Sequence, residues 1–481
     1  MRARLVGVCL VAGVPFALAA LAATGAPGAA VDKGGRDCRL VTARFHTHPD
    51  FRPVRMCVWH RAERSTAAGQ ILLTPWRSST NDNAAIMLTR DGRLLWYRRY
   101  SGGVRDLKVV RYRGGPALAY FTWGHRAYSL LDRHYREVGR IRTRGHLTDM
   151  HELAITPQGT AYVGSYHNVR RRGTHEWIRD YTLQEIDLQS RKRLFEWNAS
   201  DHVPLSATYE PRPRGKDAWD FFNGNSIEPP TSRDRTILVS ARNTSSVYGI
   251  DRRTGRIRWI LGGKEDQFRL SRRRGVRFCA QHDVRRIRGG ITMFDNGVLR
   301  GCPRHAAREL RLRLRPSRRR ARVVGAIASS AVDGAGFFPW GLGSARRLPG
   351  GHLLVSWGNE PYVTEHTSGG RVVFGLRLRT NTYRAVRVRW EGRPADPPAV
   401  AARRGGRGTD VWASWNGATN VHAWRALAGS APDELRAIRP SVPWADFETR
   451  IRLPDRFAYV SVRALDRAGH TIGRSATVKV R

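Results

Sequence analysis

The stretch "SSVYGIDRRTGRIRWILGG", residues 245–263, decides how the rest of the chain is read. Val247, Tyr248 and Ile250 make a short apolar run, Asp251 to Gly255 supply turn residues, and Ile257, Trp259 and Leu261 return on a period of two. Two such runs joined by turn chemistry spell a β-hairpin. The return half recurs as "RDGRLLWYRRY" (90–100), "YREVGRIRT" (135–143), "SRKRLFEW" (190–197), "SRRRARVVGAI" (317–327) and "SGGRVVFGLRL" (368–378). Its partner half recurs as "AAIMLTR", "AYSLLDR" and "TLQEIDL". Six copies at intervals of roughly 45 to 65 residues fit four-stranded blades, so the sequence predicts an all-β, six-bladed β-propeller. A stack of sandwiches does not explain hairpins repeating at this interval.

After "GRPADPPAVAARRGGRGTD" (392–410) the pattern changes. Pro, Gly and Arg dominate there, which reads as a linker over 396–408. Beyond it, residues 409–481 hold strand-like runs enough for a small immunoglobulin- or fibronectin-like β-sandwich. The propeller, with an N-terminal extension, is expected over 31–395.

Residues 1–30 begin with two arginines, continue as an apolar run and end in small residues, the pattern of an export signal. The run from Leu5 to Ala23 is almost long enough to serve as an uncleaved membrane anchor instead. Export to the cell surface or beyond is therefore expected. Outside that segment stand Cys38, Cys57, Cys279 and Cys302. An even number in an oxidising compartment predicts disulfides, the sequence-local choice being Cys38 with Cys57 and Cys279 with Cys302.

The 481 residues carry a net charge of +44, and the lysines are confined to Lys33, Lys108, Lys192, Lys216, Lys264 and Lys479. A field of that sign attracts polyanions. The arginines are spread along the chain, however, without a recognition helix or zinc-finger spacing, and no nucleic-acid partner is expected. In "RELRLRLRPSRRRARVV" (308–324) they alternate with leucine, as on a strand with one wet face. His46 and His48 lack the carboxylate or cysteine companions of a metal site. "FDNG" (294–297) reads as a hairpin turn.

Innermost propeller strands point side chains into a central channel, where groups from different blades converge. Polar residues within otherwise apolar strands single out His151, Asn223, Asn225, Arg242 and His282. Asp283 follows His282 directly and, by strand alternation, should face away from its ring. A His–Asp pairing between them is therefore not expected.

In combination and order, "DMHELAITPQGTA" (149–161), "WDFFNGNSI" (219–227), "VSARNTSSVYGIDRRTGRIRWILGGKEDQF" (239–268), "FCAQHDVRR" (278–286), "TMFDNG" (292–297) and "YRAVRVRWEGRPADPPA" (383–399) resemble the bacterial arylsulfate sulfotransferases. "SWNGATNVHAWRALAG" (414–429) is similar to a small β-module attached to many of them. The resemblance implies sulfuryl transfer from a phenolic sulfate ester to a phenol acceptor, with no metal or organic cofactor. It implies His282 as the nucleophile that becomes a sulfohistidine, with His151 and Arg242 holding the sulfuryl oxygens. Asn223 and Asn225 would contact substrate. One position departs: the family pattern places a histidine where this chain has Asn223, and a neutral amide cannot protonate a leaving phenolate. A retired scaffold that binds anionic or aromatic ligands is the alternative reading.

Overall fold

All six hairpins read from the sequence are antiparallel strand pairs on the side of a sheet away from its innermost strand. They include Ser246–Asp251 with Ile257–Gly262, Ala84–Leu88 with Leu94–Arg99, and Tyr362–His366 with Val372–Leu378. The computed structural model describes residues 30–31, 37–41, 44–60, 65–76, 83–100, 102–171, 175–214, 217–270, 277–438 and 440–481. Nearly all of the signal-like segment lies outside these residues. No helix among them is long and apolar enough to cross a membrane.

The innermost strands are labelled here in chain order: β1 (Val104–Tyr112), β2 (Leu147–Ile155), β3 (Gly224–Glu228), β4 (His282–Ile287), β5 (Ser344–Arg347) and β6 (Asn381–Val388). Each begins a separate sheet, antiparallel throughout except where Arg269–Leu270 pairs parallel at the far edge of the sheet that β4 begins. Each also contacts the next, and β6 contacts β1, so the six close a cycle. The architecture is all-β and propeller-like. Closure joins distant parts of the chain: β6 pairs with Gln70–Trp76, and Val372–Leu378 pairs with Met56–His60. Apolar faces fill the wedges between sheets. Trp197, Tyr181, Phe222, Tyr248 and Val239 form one such cluster.

The C-terminal residues form two further sheets, enclosing Val411, Trp424, Ile451, Val460 and Val462. Part of the stretch read as a linker is ordered strand: Ala399–Arg404 pairs with Thr409–Ser414. Val400 and Ala402 pack against the core of this module, and Arg403 lies over the Trp412 ring, so arginine-rich composition concealed a strand with one apolar face. The module docks on the first sheets. The Asn416 amide accepts from Tyr97 N at 2.9 Å and donates to Tyr97 O at 3.0 Å, and the Tyr135 hydroxyl donates to Gly417 O. His46 stacks on Trp412, bringing the N-terminal extension onto the same module.

Candidate active site

The floor of the site is a layer of buried ion pairs to which every innermost strand contributes. Lys108 pairs with Asp106 at 2.6 Å and with Glu152. Arg285 pairs with Glu152, with Asp283 at 2.7 Å and with Glu228 at 3.1 Å. Arg346 grips Asp283 with two nitrogens, each at 2.6 Å. Arg384 reaches Asp106 at 2.7 Å, Glu152 at 3.1 Å and Asp283 at 3.3 Å. Burial raises carboxylate pKa values, but here the surrounding cations win. Glu152 and Asp283 are both held well below the ordinary carboxylate range, chiefly by Arg285, with Arg384 second beside Glu152 and Arg346 second beside Asp283.

His282 starts β4 above this layer and is 2% exposed. Its Nδ1 lies 3.0 Å from Ala280 O and 2.8 Å from Asn296 Oδ1. The orientation of Asn296 is fixed, because its Nδ2 donates to Pro339 O and Leu342 O at 3.3 and 3.1 Å. Nδ1 thus faces two acceptors and must carry the proton, which leaves Nε2 with a bare lone pair. Nε2 has no hydrogen-bond partner among the described residues. Burial, reinforced by Arg242 and His151, pushes the His282 pKa down to about 3 against the lift from Asn296. The imidazole is neutral at ordinary pH. Asp283 has φ 54° and directs its carboxylate into the ionic layer, away from His282.

His151, on β2, sits with Nδ1 2.8 Å from both oxygens of Asp149, so Nε2 is its outward nitrogen. The Tyr383 hydroxyl from β6 lies 3.1 Å from His151 O and 3.2 Å from Asn225 O, tying three innermost strands together. The Tyr383 and His151 rings meet edge-on at 5.7 Å. Arg242 is near enough to bias His282, but its planar fork is largely occupied. Nη1 meets Glu210 at 2.7 Å and Asn243 Oδ1 at 2.6 Å, while Nε and Nη2 meet Trp340 O at 3.1 and 2.9 Å. Of five N–H groups, one on Nη2 is left over.

The two asparagines are placed differently from one another. Asn223 has φ 53° and donates from Nδ2 to Asp220 Oδ2 at 3.0 Å. Asn225 is fully buried, donates to Gln281 O at 2.8 Å, and keeps Oδ1 without a partner. Gly224 between them is required by close approach, since a Cβ there would meet the Tyr181 ring at 2.6 Å. Asn225 therefore braces β3 against the segment leading to His282.

Behind the histidine, Cys279 and Cys302 form a disulfide with a Cα–Cα distance of 6.2 Å. Cys57 is disulfide-bonded too, while the Cys38 side chain lies outside the described residues. "FDNG" is not a hairpin turn. Asp295 ends its strand, and the chain loops through Cys302 before the next strand begins at Arg308. The disulfide and the Asn296 amide contacts replace the tight turn. Asn296 was thus missed as a site residue, because Asn-Gly reads first as turn chemistry. Asp149, Glu210 and Tyr383 were missed as well, although Asp149 and Tyr383 stand within or at the edge of motifs already singled out.

The chain matches the family described as Arylsulfotransferase (ASST) over residues 104–379, more than half its length. It belongs to that family, and is arylsulfotransferase-like. No curated protein matches it. Among solved structures, it is similar to a protein of unknown function from Bacteroides caccae, with 16% identity, 66% of this chain and 98% of that one covered, and a TM-score of 0.41. It is also similar to the periplasmic gluconolactonase of Pseudomonas aeruginosa, with 9% identity, 86% and 96% covered, and a TM-score of 0.35. The Cps50 (Swd1) β-propeller domain of Myceliophteria thermophila shares 10% identity, with 74% and 91% covered and a TM-score of 0.36. The description of the fold rests on strand pairings rather than on these likenesses.

Proposed function

We propose that this chain is an exported arylsulfate sulfotransferase, a six-bladed propeller followed by a small β-sandwich, that moves a sulfuryl group between phenols through His282. In the first half-reaction the Nε2 lone pair forms an N–S bond. The S–O bond to the donor ring breaks, and the phenolate leaves with that electron pair. In the second, an acceptor phenol oxygen attacks sulfur, its proton passes to water, and the N–S pair returns to Nε2. Negative charge spreads over the three sulfuryl oxygens, as in phosphoryl transfer, so positioned donors supply most of the rate. His151, whose Nδ1 proton is held by Asp149, donates to those oxygens from Nε2 only when the ring carries its second proton, and Arg242 offers its remaining N–H. The aryl sulfate and the phenol are the small-molecule partners.

The single observation that carries this reading is the forced tautomer of His282: a neutral ring with Nδ1–H held by Ala280 and Asn296 and Nε2 bare. Purified protein exposed to 4-nitrophenyl sulfate should gain one SO3 adduct on the peptide containing His282, and added phenol should discharge it. No adduct and no nitrophenol release would refute the proposal, as would release unchanged in His282→Ala.

Asn223 favours a second reading, a binding protein for anionic or aromatic ligands. It stands where the family pattern has histidine, and its amide is committed to Asp220. A gain in turnover in Asn223→His would support transfer. Tight aryl-sulfate binding without turnover in either form would support binding alone.

A further inference from the structure

The ionic floor identifies a site position that the function described above leaves unused. In β4 the sequence His282-Asp283-Val284-Arg285 places the imidazole in the site and the next acid and base in the floor. In β1 the sequence Arg105-Asp106-Leu107-Lys108 repeats that pattern. Asp106 has φ 54°, as Asp283 does, and pairing with the neighbouring strand slips at the same place, between Arg105 and Lys108 and between His282 and Arg285. Asp106 and Lys108 belong to the floor. Likewise His151 precedes the floor residue Glu152, and Tyr383 precedes Arg384. Arg105 therefore holds on β1 the position that His282 holds on β4. The two strands lie three steps apart in either direction around the cycle of six, which puts Arg105 across the channel from His282.

Arg105 is not a structural cation. It is 5% exposed, its Nε is buried without a hydrogen-bond partner, and among the described residues its one hydrogen bond runs from Nη1 to Val104 O at 3.1 Å. Among the described residues it has no carboxylate within ion-pair distance, whereas each floor cation has at least one. Its guanidinium lies 4.5 Å from the centre of the Trp76 ring, which covers one planar face, and among the described residues Nε and Nη2 have no partner. The Tyr383 hydroxyl is near enough to act on it electrostatically, and burial lowers its pKa to about 10, so it stays charged. A buried, uncompensated guanidinium is costly for a fold to keep, and a planar fork of that kind is matched by an oxyanion. Arg242 cannot fill this role freely, because Glu210 already neutralises it.

We propose that Arg105 is a second anion subsite, which selects aryl sulfates whose ring carries another oxyanion, such as a carboxylate, on the side opposite the sulfate. The assignment rests on the reading of His282 as the sulfuryl site. With the sulfuryl group at His282, the aromatic ring spans the channel and its far substituent meets the Arg105 fork beside Trp76. A donor with one charge leaves that fork unsatisfied.

The test is a calorimetric titration of the full chain, at fixed salt, with phenyl sulfate and with 4-carboxyphenyl sulfate, in wild type, Arg105→Gln and Arg105→Lys. Wild type should favour the carboxylated ligand by about tenfold or more, in the range of one charge-assisted hydrogen bond. Arg105→Gln should lose that preference while binding phenyl sulfate within about twofold of wild type, and Arg105→Lys should recover part of it. Thermal unfolding gives an independent readout: Arg105→Gln should be at least as stable as wild type, since it removes a buried charge with no partner. Equal losses for both ligands, no loss for either, or a marked fall in stability would overturn the subsite. The titrations need no turnover. A charge preference seen in a protein that never transfers sulfate would uphold the subsite and remove the transferase reading. Transfer without a change in preference would do the reverse.

Discussion

The low proton affinity of His282 has a consequence for stability that can be measured without substrate. An unfolded histidine has a pKa near 6.5, and the buried ring sits at about 3. The folded form therefore resists protonation that the unfolded chain accepts. Stability from this group is intact above the unfolded value, falls as pH drops through about 6.5, and levels off below the folded value. At about pH 5 the difference amounts to about 2 kcal/mol, and its limit at strong acid is about 5 kcal/mol. His282→Gln removes the titration and keeps a polar side chain in place. Denaturant unfolding of both proteins at about pH 8 and about pH 5 isolates the effect, since every other titrating group cancels in the comparison. Wild type should lose about 2 kcal/mol more than the variant between those conditions. Parallel losses in the two proteins would refute the claim that the ring is neutral because it is buried, and with it the bare Nε2.

Asn296→Leu removes the nearer of the two acceptors of Nδ1–H, leaving Ala280 O, and keeps the substrate-facing groups in place. Steady-state kinetics with 4-nitrophenyl sulfate should show kcat lower by about tenfold with KM little changed, because the hold on the ring is weakened by one hydrogen bond while binding is untouched. Asp283→Ala strips Arg346 of its one carboxylate partner among the described residues, and denaturant unfolding should show a loss of about 3–5 kcal/mol. By contrast, Arg193→Ala breaks an exposed pair with Glu196 and should change stability by less than about 1 kcal/mol.

The hairpins were legible because their signal is local. Alternation and turn residues such as Asp251 to Gly255 act over a few positions, and burial follows the same period in the strand Arg308–Arg315. Cys279 and Cys302 were legible for the same reason, being close in sequence. His151, Arg242 and His282 stood out as polar residues interrupting apolar strands. The partners that define their chemistry did not. Glu210 reaches Arg242 from a loop, Asn296 reaches His282 from the end of another strand, and Tyr383 arrives from the strand that closes the cycle. Such contacts depend on how the cycle closes, which no local period encodes. The resemblance implied that Arg242 holds sulfuryl oxygens, but gave no sign that the Trp340 carbonyl and Glu210 would occupy most of its N–H groups.

The repeated dipeptides explain how adjacent residues serve different purposes. In an unbroken strand, Asp283 would lie on the face opposite His282 and point into the space between sheets, where an unpaired carboxylate is costly. The left-handed backbone at Asp106 and Asp283, each at a slip in strand pairing, turns both side chains inward and one level down instead. Both members of each pair then face the channel: Arg105, His151, His282 and Tyr383 in the upper level, and Asp106, Glu152, Asp283 and Arg384 in the lower. Arg384 pairs with Asp106, Glu152 and Asp283 from three other strands, and Lys108, Arg285 and Arg346 supply the remaining cations, so the lower level helps hold the cycle closed. Of the upper residues, Tyr383 still ties strands together through its hydroxyl, while Arg105 and His282 are relieved of that duty. Substitutions one residue apart should consequently separate cleanly, with Asp106 and Asp283 governing stability and Arg105 and His282 governing what binds and reacts.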